Sequence, residues 1–186
     1  PYHNLSEEVK EEAVDLVVMG TSGADGVDEM FVGSNAERVV RTATCPVVTL
    51  KQAANLEDIG SIVFASNFQE VNKDFVVKIK ELQAMLGASL KIVKINTPAN
   101  FTTQRHDMEQ MLAFVEKHGF ENTTIDVYNY TNEEDGIIYY AEDVNAGMIA
   151  LGTNQRTGFN HFLIGSIAED VVNHAKRPVW TLRLDL

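Results

Sequence analysis

Three glycines and a serine follow an apolar run near the start of the chain, in a spacing that can hold a phosphate. Gly20, Gly23, Gly33 and Ser34 give G-x2-G-x9-G-S directly after the strand-like segment LVVM, and the pattern predicts a helix that opens at Ser34. Glycine lets the backbone approach an anion closely, and the amides at a helix N-terminus point toward bound phosphate. The same residues would also serve a plain turn and a capped helix, and spacing alone does not decide between the two.

The same stretch of sequence occurs twice. Residues 15–51 align without a gap with residues 147–183, and the offset is 132 residues because Gly20 matches Gly152 and 152 − 20 = 132. An internal repeat of this kind indicates the architecture more directly than any single motif does.

The second copy keeps most of the phosphate pattern but not all of it. Gly152, Gly165 and Ser166 match the first copy, whereas Gln155 stands where the second glycine falls. Arg156 is the best basic side chain for a phosphate in this loop, and a solvated loop arginine is an equal interpretation.

The offset also predicts the domain organisation. A long body precedes the second copy, and almost none precedes the first. We therefore expect residues 1–51 to be the C-terminal part of a first, N-terminally truncated domain. Residues 52–57 would be a linker, and residues 58–186 a complete domain.

Strand-like and helix-like segments alternate through residues 58–186. The apolar run IGSIVFASN predicts a strand buried on both faces, Gly87 and Gly119 follow amphipathic segments as helix ends, and Asn132 is a predicted N-cap. Because parallel strands need crossover connections, the alternation predicts an α/β fold with a parallel doubly wound sheet. Ligands of such sheets bind at the C-terminal ends of the strands.

Composition limits the classes of partner. The formal net charge of −12 argues against a nucleic-acid groove and against an anionic membrane surface. No apolar run approaches the roughly 18 residues of a membrane span. The single cysteine, Cys45, suits a reducing compartment, so we expect a cytoplasmic protein. The five histidines show no metal-ligand spacing, and no metal is expected.

The chain resembles the universal stress protein (UspA-like) family of adenine-nucleotide-binding α/β proteins. The resemblance rests on LVVMGTSG and GSNAERVVRTATCPVV, with ALGTNQRTG and GSIAEDVVNHAKRPVW as their second copies. It implies a five-stranded parallel, Rossmann-like sheet that usually dimerises through the last strand. In ATP-binding members, the resemblance implies that the G-x2-G-x9-G-[ST] loop holds the phosphates and that an acidic residue ending the first strand helps to hold adenosine.

Two residues of the predicted complete domain depart from this pattern. Asn67 stands where the family's aspartate usually ends the first strand, and Gln155 places a side chain where the backbone should approach phosphate. An amide lacks a carboxylate's charge assistance toward ribose hydroxyls, a loss of about 1 kcal/mol. We therefore expect residues 58–186 to bind ATP weakly or not at all.

Nothing in the sequence requires catalysis. It contains no Ser-His-Asp order, no Walker lysine and no G-x-G-x-x-G, and we assign no catalytic residue. We expect a non-enzymatic stress-response protein that dimerises and has ATP as a candidate ligand. The alternatives are a slow ATP hydrolase or another nucleotide-dependent enzyme using the same crevice, and a partner-docking domain with an empty crevice.

The predicted truncation leaves one strand edge without a partner. Val17, Val18 and Met19 would present unpaired backbone groups, which proteins seldom tolerate. We expect residues 1–51 to dock against the complete domain or against a second chain.

Overall fold

The computed structural model describes residues 12–21, 34–68, 71, 73–154 and 164–184. These residues form seven β-strands and five α-helices, which follow one another as β1 Val17–Gly20, α1 Ser34–Thr42, β2 Val47–Leu50, β3 Ser61–Ala65, α2 Lys73–Leu86, β4 Ser89–Asn96, α3 Gln104–His118, β5 Thr123–Asn129, α4 Glu133–Asp143, β6 Met148–Asn154, α5 Ile164–His174 and β7 Val179–Leu184. The expected count of five strands is therefore corrected to seven. Five of the strands lie within residues 58–186, and the first repeat copy adds β1 and β2.

The chain divides into two compact units. One comprises residues 1–54 and 151–186, and the other comprises residues 55–150. The boundaries at residues 51 and 58 that the repeat suggests remain a prediction.

The unit of residues 55–150 is built on parallel strands in the order β6, β3, β4, β5. Ile62, Val63, Ile92 and Val93 are each 0% exposed, as expected of strands that are covered on both faces. Strands and helices alternate along this part of the chain, so the predicted α/β class with a mostly parallel sheet is confirmed.

Helix ends in this unit follow the predicted capping chemistry. Gly87 and Gly119 both have φ +60, the left-handed conformation that a helix C-cap requires. The Asn132 side chain accepts a hydrogen bond from the Asp135 amide and caps α4, which starts at Glu133, so the predicted N-cap is confirmed. A Cβ atom at Gly136 would lie 2.5 Å from the Cγ2 atom of Ile95, so glycine lets α4 pack closely on the sheet.

The unit of residues 1–54 and 151–186 brings the two repeat copies together. β1 pairs in parallel with β2, and β2 pairs in antiparallel fashion with β7. Val48 pairs with Trp180, and 180 − 48 = 132 is the repeat offset, so the copies meet about a local two-fold axis at this pair. The hydrogen bonds obey the same symmetry: Thr49 Oγ1 donates to Val179 O at 3.2 Å, and its equivalent Thr181 Oγ1 donates to Val47 O at 3.4 Å.

The predicted exposed edge lies on β1. Val18 is 49% exposed, and the described residues place a strand on only one side of β1, that of β2. Val17 and Met19 pack against a cluster of Val39, Val40, Ala43 and Val47. The first copy thus docks on the second through the β2–β7 pair, one of the two outcomes that the sequence predicted.

Candidate functional site

The first copy of the glycine pattern starts where β1 ends. Gly20 is the last residue of β1, and a Cβ atom there would have Leu50 O, at 4.0 Å, as its nearest neighbour. Thr21 follows and is buried, with its amide bonded to Leu50 O at 3.0 Å and its hydroxyl donating to the same oxygen at 3.4 Å. Ser34 opens α1 as predicted. Gly23 and Gly33 lie outside the described residues.

The second copy is divided between β6 and α5. Gly152 lies in β6, and Gly165 and Ser166 lie in the first turn of α5, which starts at Ile164. Gln155 and Arg156 fall outside the described residues. The first copy's Gly20 and Ser34 and the second copy's Gly152, Gly165 and Ser166 therefore belong to the same compact unit.

Thr153, which directly follows Gly152, carries a buried hydroxyl that has no hydrogen-bond partner among the described residues. The residue is 6% exposed, and its Oγ1 atom makes no hydrogen bond; it is the only such buried side-chain atom among the described residues. A buried hydroxyl without a partner costs about 1–3 kcal/mol, so the position favours an acceptor that binds there. No local sequence pattern singles out Thr153, although the repeat pairs it with Thr21, since 153 − 21 = 132.

Asn67 lies in the other compact unit, just beyond the end of β3, and is exposed. The next residue, Phe68, has φ +58, which is unusual for a bulky side chain. Its amide donates to Ser66 Oγ at 3.1 Å, and its ring packs on Phe64 and Phe114 at centroid distances of 5.9 and 5.3 Å. The chain therefore turns sharply after Asn67 and is held by aromatic packing, which the sequence did not reveal.

A buried ion pair supports the loop after β4. Lys94 Nζ lies 2.5 Å from Asp107 Oδ1, and the side chains are 10% and 0% exposed. Thr102 Oγ1 accepts from Lys94 Nζ at 2.7 Å and lies 2.7 and 2.8 Å from the two Asp107 oxygens. The three groups satisfy one another and fix the loop to β4 and α3, so they make a structural clamp and not a ligand site.

A second polar group ties the same loop to the ends of β4 and β5. Asn96 donates from Nδ2 to Asn129 Oδ1 at 2.9 Å and accepts at Oδ1 from the Thr102 amide at 3.1 Å. Glu133 Oε1 accepts from Thr97 Oγ1 at 3.1 Å and from Asn100 Nδ2 at 2.8 Å. These side chains also bond to each other, and they hold the loop in one conformation.

The described residues offer no metal site. No group of three or more His, Cys, Asp and Glu side chains in this part of the chain could hold a metal ion. Cys45 is buried, as is typical of a small core residue. Within the same residues, no helix is both long enough and apolar enough to cross a membrane.

Known proteins share both the sequence pattern and the fold. The family model described as the universal stress protein family matches residues 1–51 and 60–183. Universal stress protein E of Photorhabdus laumondii is 26% identical over 210 residues, an alignment that covers 100% of this chain and 66% of that protein. The chain spans smaller shares of other curated relatives, down to 29% for a universal stress protein of Thermus aquaticus.

Solved structures show the same fold at lower identity. The protein PA1789 from Pseudomonas aeruginosa, described as functionally unknown, has a TM-score of 0.73 and 20% identity, with 100% of this chain and 68% of that chain covered. A universal stress protein solved in complex with cAMP has a TM-score of 0.50 and 16% identity, with 68% of this chain and 96% of that chain covered. Because the family model matches nearly the whole length of the sequence, the chain belongs to the universal stress protein family.

Proposed function

We propose that this chain is a non-enzymatic stress-response module that binds an adenine nucleotide weakly, with the phosphate side of the site at the end of β6. The buried hydroxyl of Thr153 carries the proposal, because it lies directly after Gly152 and has no acceptor in the part of the chain that the structure describes. A phosphate oxygen supplies such an acceptor. A family member solved with cAMP supports an adenine nucleotide as the ligand class.

Weak binding follows from the two departures in sequence. Gln155 replaces the glycine whose backbone would approach phosphate, and Asn67 offers a neutral amide in place of a carboxylate. Gly152, Gly165 and Ser166 are the proposed phosphate contacts of the second copy, with Arg156 as an added cation. Gly20, Gly23, Gly33 and Ser34 are their equivalents in the first.

The same geometry supports a proposal about assembly. The family resemblance implies dimers that form through the last strand. In this chain β7 already has β2 as its antiparallel neighbour. We therefore propose that residues 1–51 take the place of a second copy on β7, with the domain boundaries that the repeat suggests, in place of a homodimer through the last strand.

Replacing Thr153 by valine tests the nucleotide site, because it should raise the stability of the free protein and lower its affinity for ATP. Valine keeps the shape and removes the unsatisfied hydroxyl, so the free energy of unfolding without nucleotide should rise by about 1 kcal/mol. The affinity for ATP, measured by isothermal titration calorimetry, should fall by about five- to tenfold because one hydrogen bond to the ligand is lost.

The repeat supplies the matched control. Thr21 occupies the equivalent position, but its hydroxyl donates to Leu50 O, so Thr21→Val should not stabilise the free protein. Equal ATP affinity in the wild type and in Thr153→Val would contradict the proposed phosphate contact.

A phosphate-release assay separates the sensor from the alternative of a slow ATP hydrolase. We expect bound ATP to remain intact. Turnover that Ser166→Ala abolishes would overturn the non-enzymatic part of the proposal.

A further inference from the structure

One stretch of the unit of residues 55–150 combines tyrosines with carboxylates and contains neither lysine nor arginine. From residue 121 to residue 147 the sequence holds seven acidic residues, four tyrosines, and neither lysine nor arginine. β5 and α4 make up most of this stretch. We call the following residues the acidic tyrosine surface: Tyr128, Tyr130, Tyr139, Asp126, Asp135 and Asp143.

The tyrosine rings of this surface form a contiguous group. The Tyr128 and Tyr130 rings are stacked at 6.2 Å with an interplanar angle of 11°, and the Tyr130 and Tyr139 rings lie 5.2 Å apart. Tyr139 is 44% exposed, so an aromatic face is open to solvent. The buried Tyr140 supports the group from below, with its ring 5.4 Å from that of Tyr128.

The carboxylates lie close enough to the tyrosines to raise the pKa values of the tyrosine hydroxyls. Tyr128 donates its hydroxyl hydrogen to Asp143 Oδ2 at 2.7 Å. This hydrogen bond is the main reason that the pKa of Tyr128 rises to about 12. Burial raises the pKa of Tyr130, and Tyr139 and Asp135 add to the effect. The surface therefore has a negative potential that is not neutralised from within its own stretch of chain.

The lysines of the neighbouring strand β4 do little to neutralise the negative charge of this surface. β4 carries two lysines: Lys91 is aligned with Thr124 near the start of β5, and Lys94 is buried on Asp107. β5 has one strand neighbour among the described residues, and on its free side the Val127 amide is already bonded to Asp126 Oδ1 at 2.8 Å. This amide is not available for an added strand, so side-chain contacts suit the surface better than strand addition.

We propose that the acidic tyrosine surface binds an arginine-containing basic peptide segment of a partner protein. Guanidinium groups stack on tyrosine faces and pair with carboxylates, and tyrosine is enriched among the residues that dominate binding energy at interfaces. A second copy of this chain does not fit the same description, because two copies of one acidic surface repel each other and the chain as a whole carries −12. Nucleic acid is excluded by the same sign of charge.

Fluorescence anisotropy with a labelled peptide of alternating arginine and glycine tests the proposal on the whole chain. We expect saturable binding that weakens as salt rises. The matching lysine–glycine peptide should bind about two- to fivefold more weakly, since lysine stacks less well on aromatic faces, and a glutamate–glycine peptide should not bind.

Two surface variants locate the contact. Tyr139→Ala should weaken binding of the arginine peptide by about two- to fivefold, because an exposed cation–π contact is lost. The double variant Asp126→Asn with Asp143→Asn should weaken the arginine and lysine peptides alike, while keeping an acceptor for the Tyr128 hydroxyl. Two control variants should leave the dissociation constant unchanged. Phe101→Ala removes an aromatic side chain that is 70% exposed in the loop after β4, and Glu116→Gln removes a carboxylate outside the acidic tyrosine surface.

Three results would overturn the proposal. The first is an unchanged dissociation constant in Tyr139→Ala and in the double aspartate variant, provided that circular dichroism shows them folded. The second is equal binding of arginine and lysine peptides, which indicates charge attraction alone. The third is self-association in sedimentation velocity that Tyr139→Ala abolishes, which would make a second copy the occupant. None of these results bears on nucleotide binding at β6.

Discussion

Removing the ammonium of Lys94 should destabilise the unit of residues 55–150 strongly. The Asp107 carboxylate is fully buried, with the Lys94 side chain 10% exposed and Nζ at 2.5 Å from Oδ1. Lys94→Met keeps most of the aliphatic stem but leaves a buried carboxylate with the Thr102 hydroxyl as its remaining side-chain partner. Breaking a buried pair in this way costs about 3–5 kcal/mol.

Urea unfolding followed by far-ultraviolet circular dichroism measures this loss. At about 2–4 °C per kcal/mol for a chain of this size, the same change should lower the melting temperature by about 6–20 °C. Trp180 is the only tryptophan and lies in the other compact unit, so its fluorescence follows that unit separately in the same samples.

Two further variants decide whether the buried charge is the cause. Lys78→Met breaks an exposed pair with Glu81 at 2.8 Å and should cost less than about 1 kcal/mol. The double variant Lys94→Met with Asp107→Leu removes both charges and should recover most of the loss. If Lys94→Met proves no more destabilising than Lys78→Met, the inference that Asp107 depends on a buried ion pair is wrong.

Three other outcomes follow from local geometry. Gly136→Ala should lower the free energy of unfolding by about 1–3 kcal/mol, since the new methyl would lie 2.5 Å from a side-chain carbon of β4. Gly60→Ala, with no atom within 4 Å of the new methyl, is its control in the same urea titration. Asp143→Ala, which removes the acceptor of the Tyr128 hydroxyl, should bring the pKa of Tyr128 down from about 12, as followed by carbon NMR titration, and an unchanged pKa would contradict the role of this hydrogen bond. The pKa of His118 is lowered mainly by burial and further by neighbouring lysines. As pH falls, the imidazole is therefore protonated at a higher pH in the unfolded chain than in the folded chain. Stability should therefore fall as pH falls through about 6.5 and below. His118→Gln should flatten that slope in urea titrations across this range.

The fold was predictable wherever local pattern and burial agree. The run IGSIVFASN became β3 because β-branched and apolar residues suit a strand that is covered on both faces. Gly87 and Gly119 end helices because glycine accepts a positive φ without strain, and Asn132 caps α4 through its side-chain oxygen.

Long-range partners were not predictable from one sequence. Lys94 appears as a lysine inside an apolar strand, and nothing local indicates that Asp107 neutralises it. The left-handed conformation of Phe68 depends on aromatic packing with Phe64, four residues before it, and with Phe114, which is distant in sequence. Thr153 looked like an ordinary strand residue, because an unsatisfied hydroxyl becomes visible only when all its neighbours are known.

The repeat predicted more of the structure than the glycine pattern within it did. The sequence indicated two copies and an unpaired β1 edge, and the structure pairs Val48 with Trp180 at the same offset of 132 that aligns the copies. The antiparallel register itself could not be read from the repeat, since pairing depends on side chains from both copies at once. Of the ten predicted site residues, five lie on β1, β6, α1 or α5, and Asn67 follows β3. The other four lie outside the described residues.

Isothermal calorimetry with ATP titrated into the whole chain, beside the Gln155→Gly variant, tests whether this chain has a weak nucleotide site at the end of β6. We predict weak binding by the wild type, with a dissociation constant of about 0.1–1 mM, and a clear gain of affinity when glycine restores close backbone approach to phosphate. Micromolar binding by the wild type would contradict the predicted weakness of the site. Absence of binding in both proteins would contradict the nucleotide site at the end of β6.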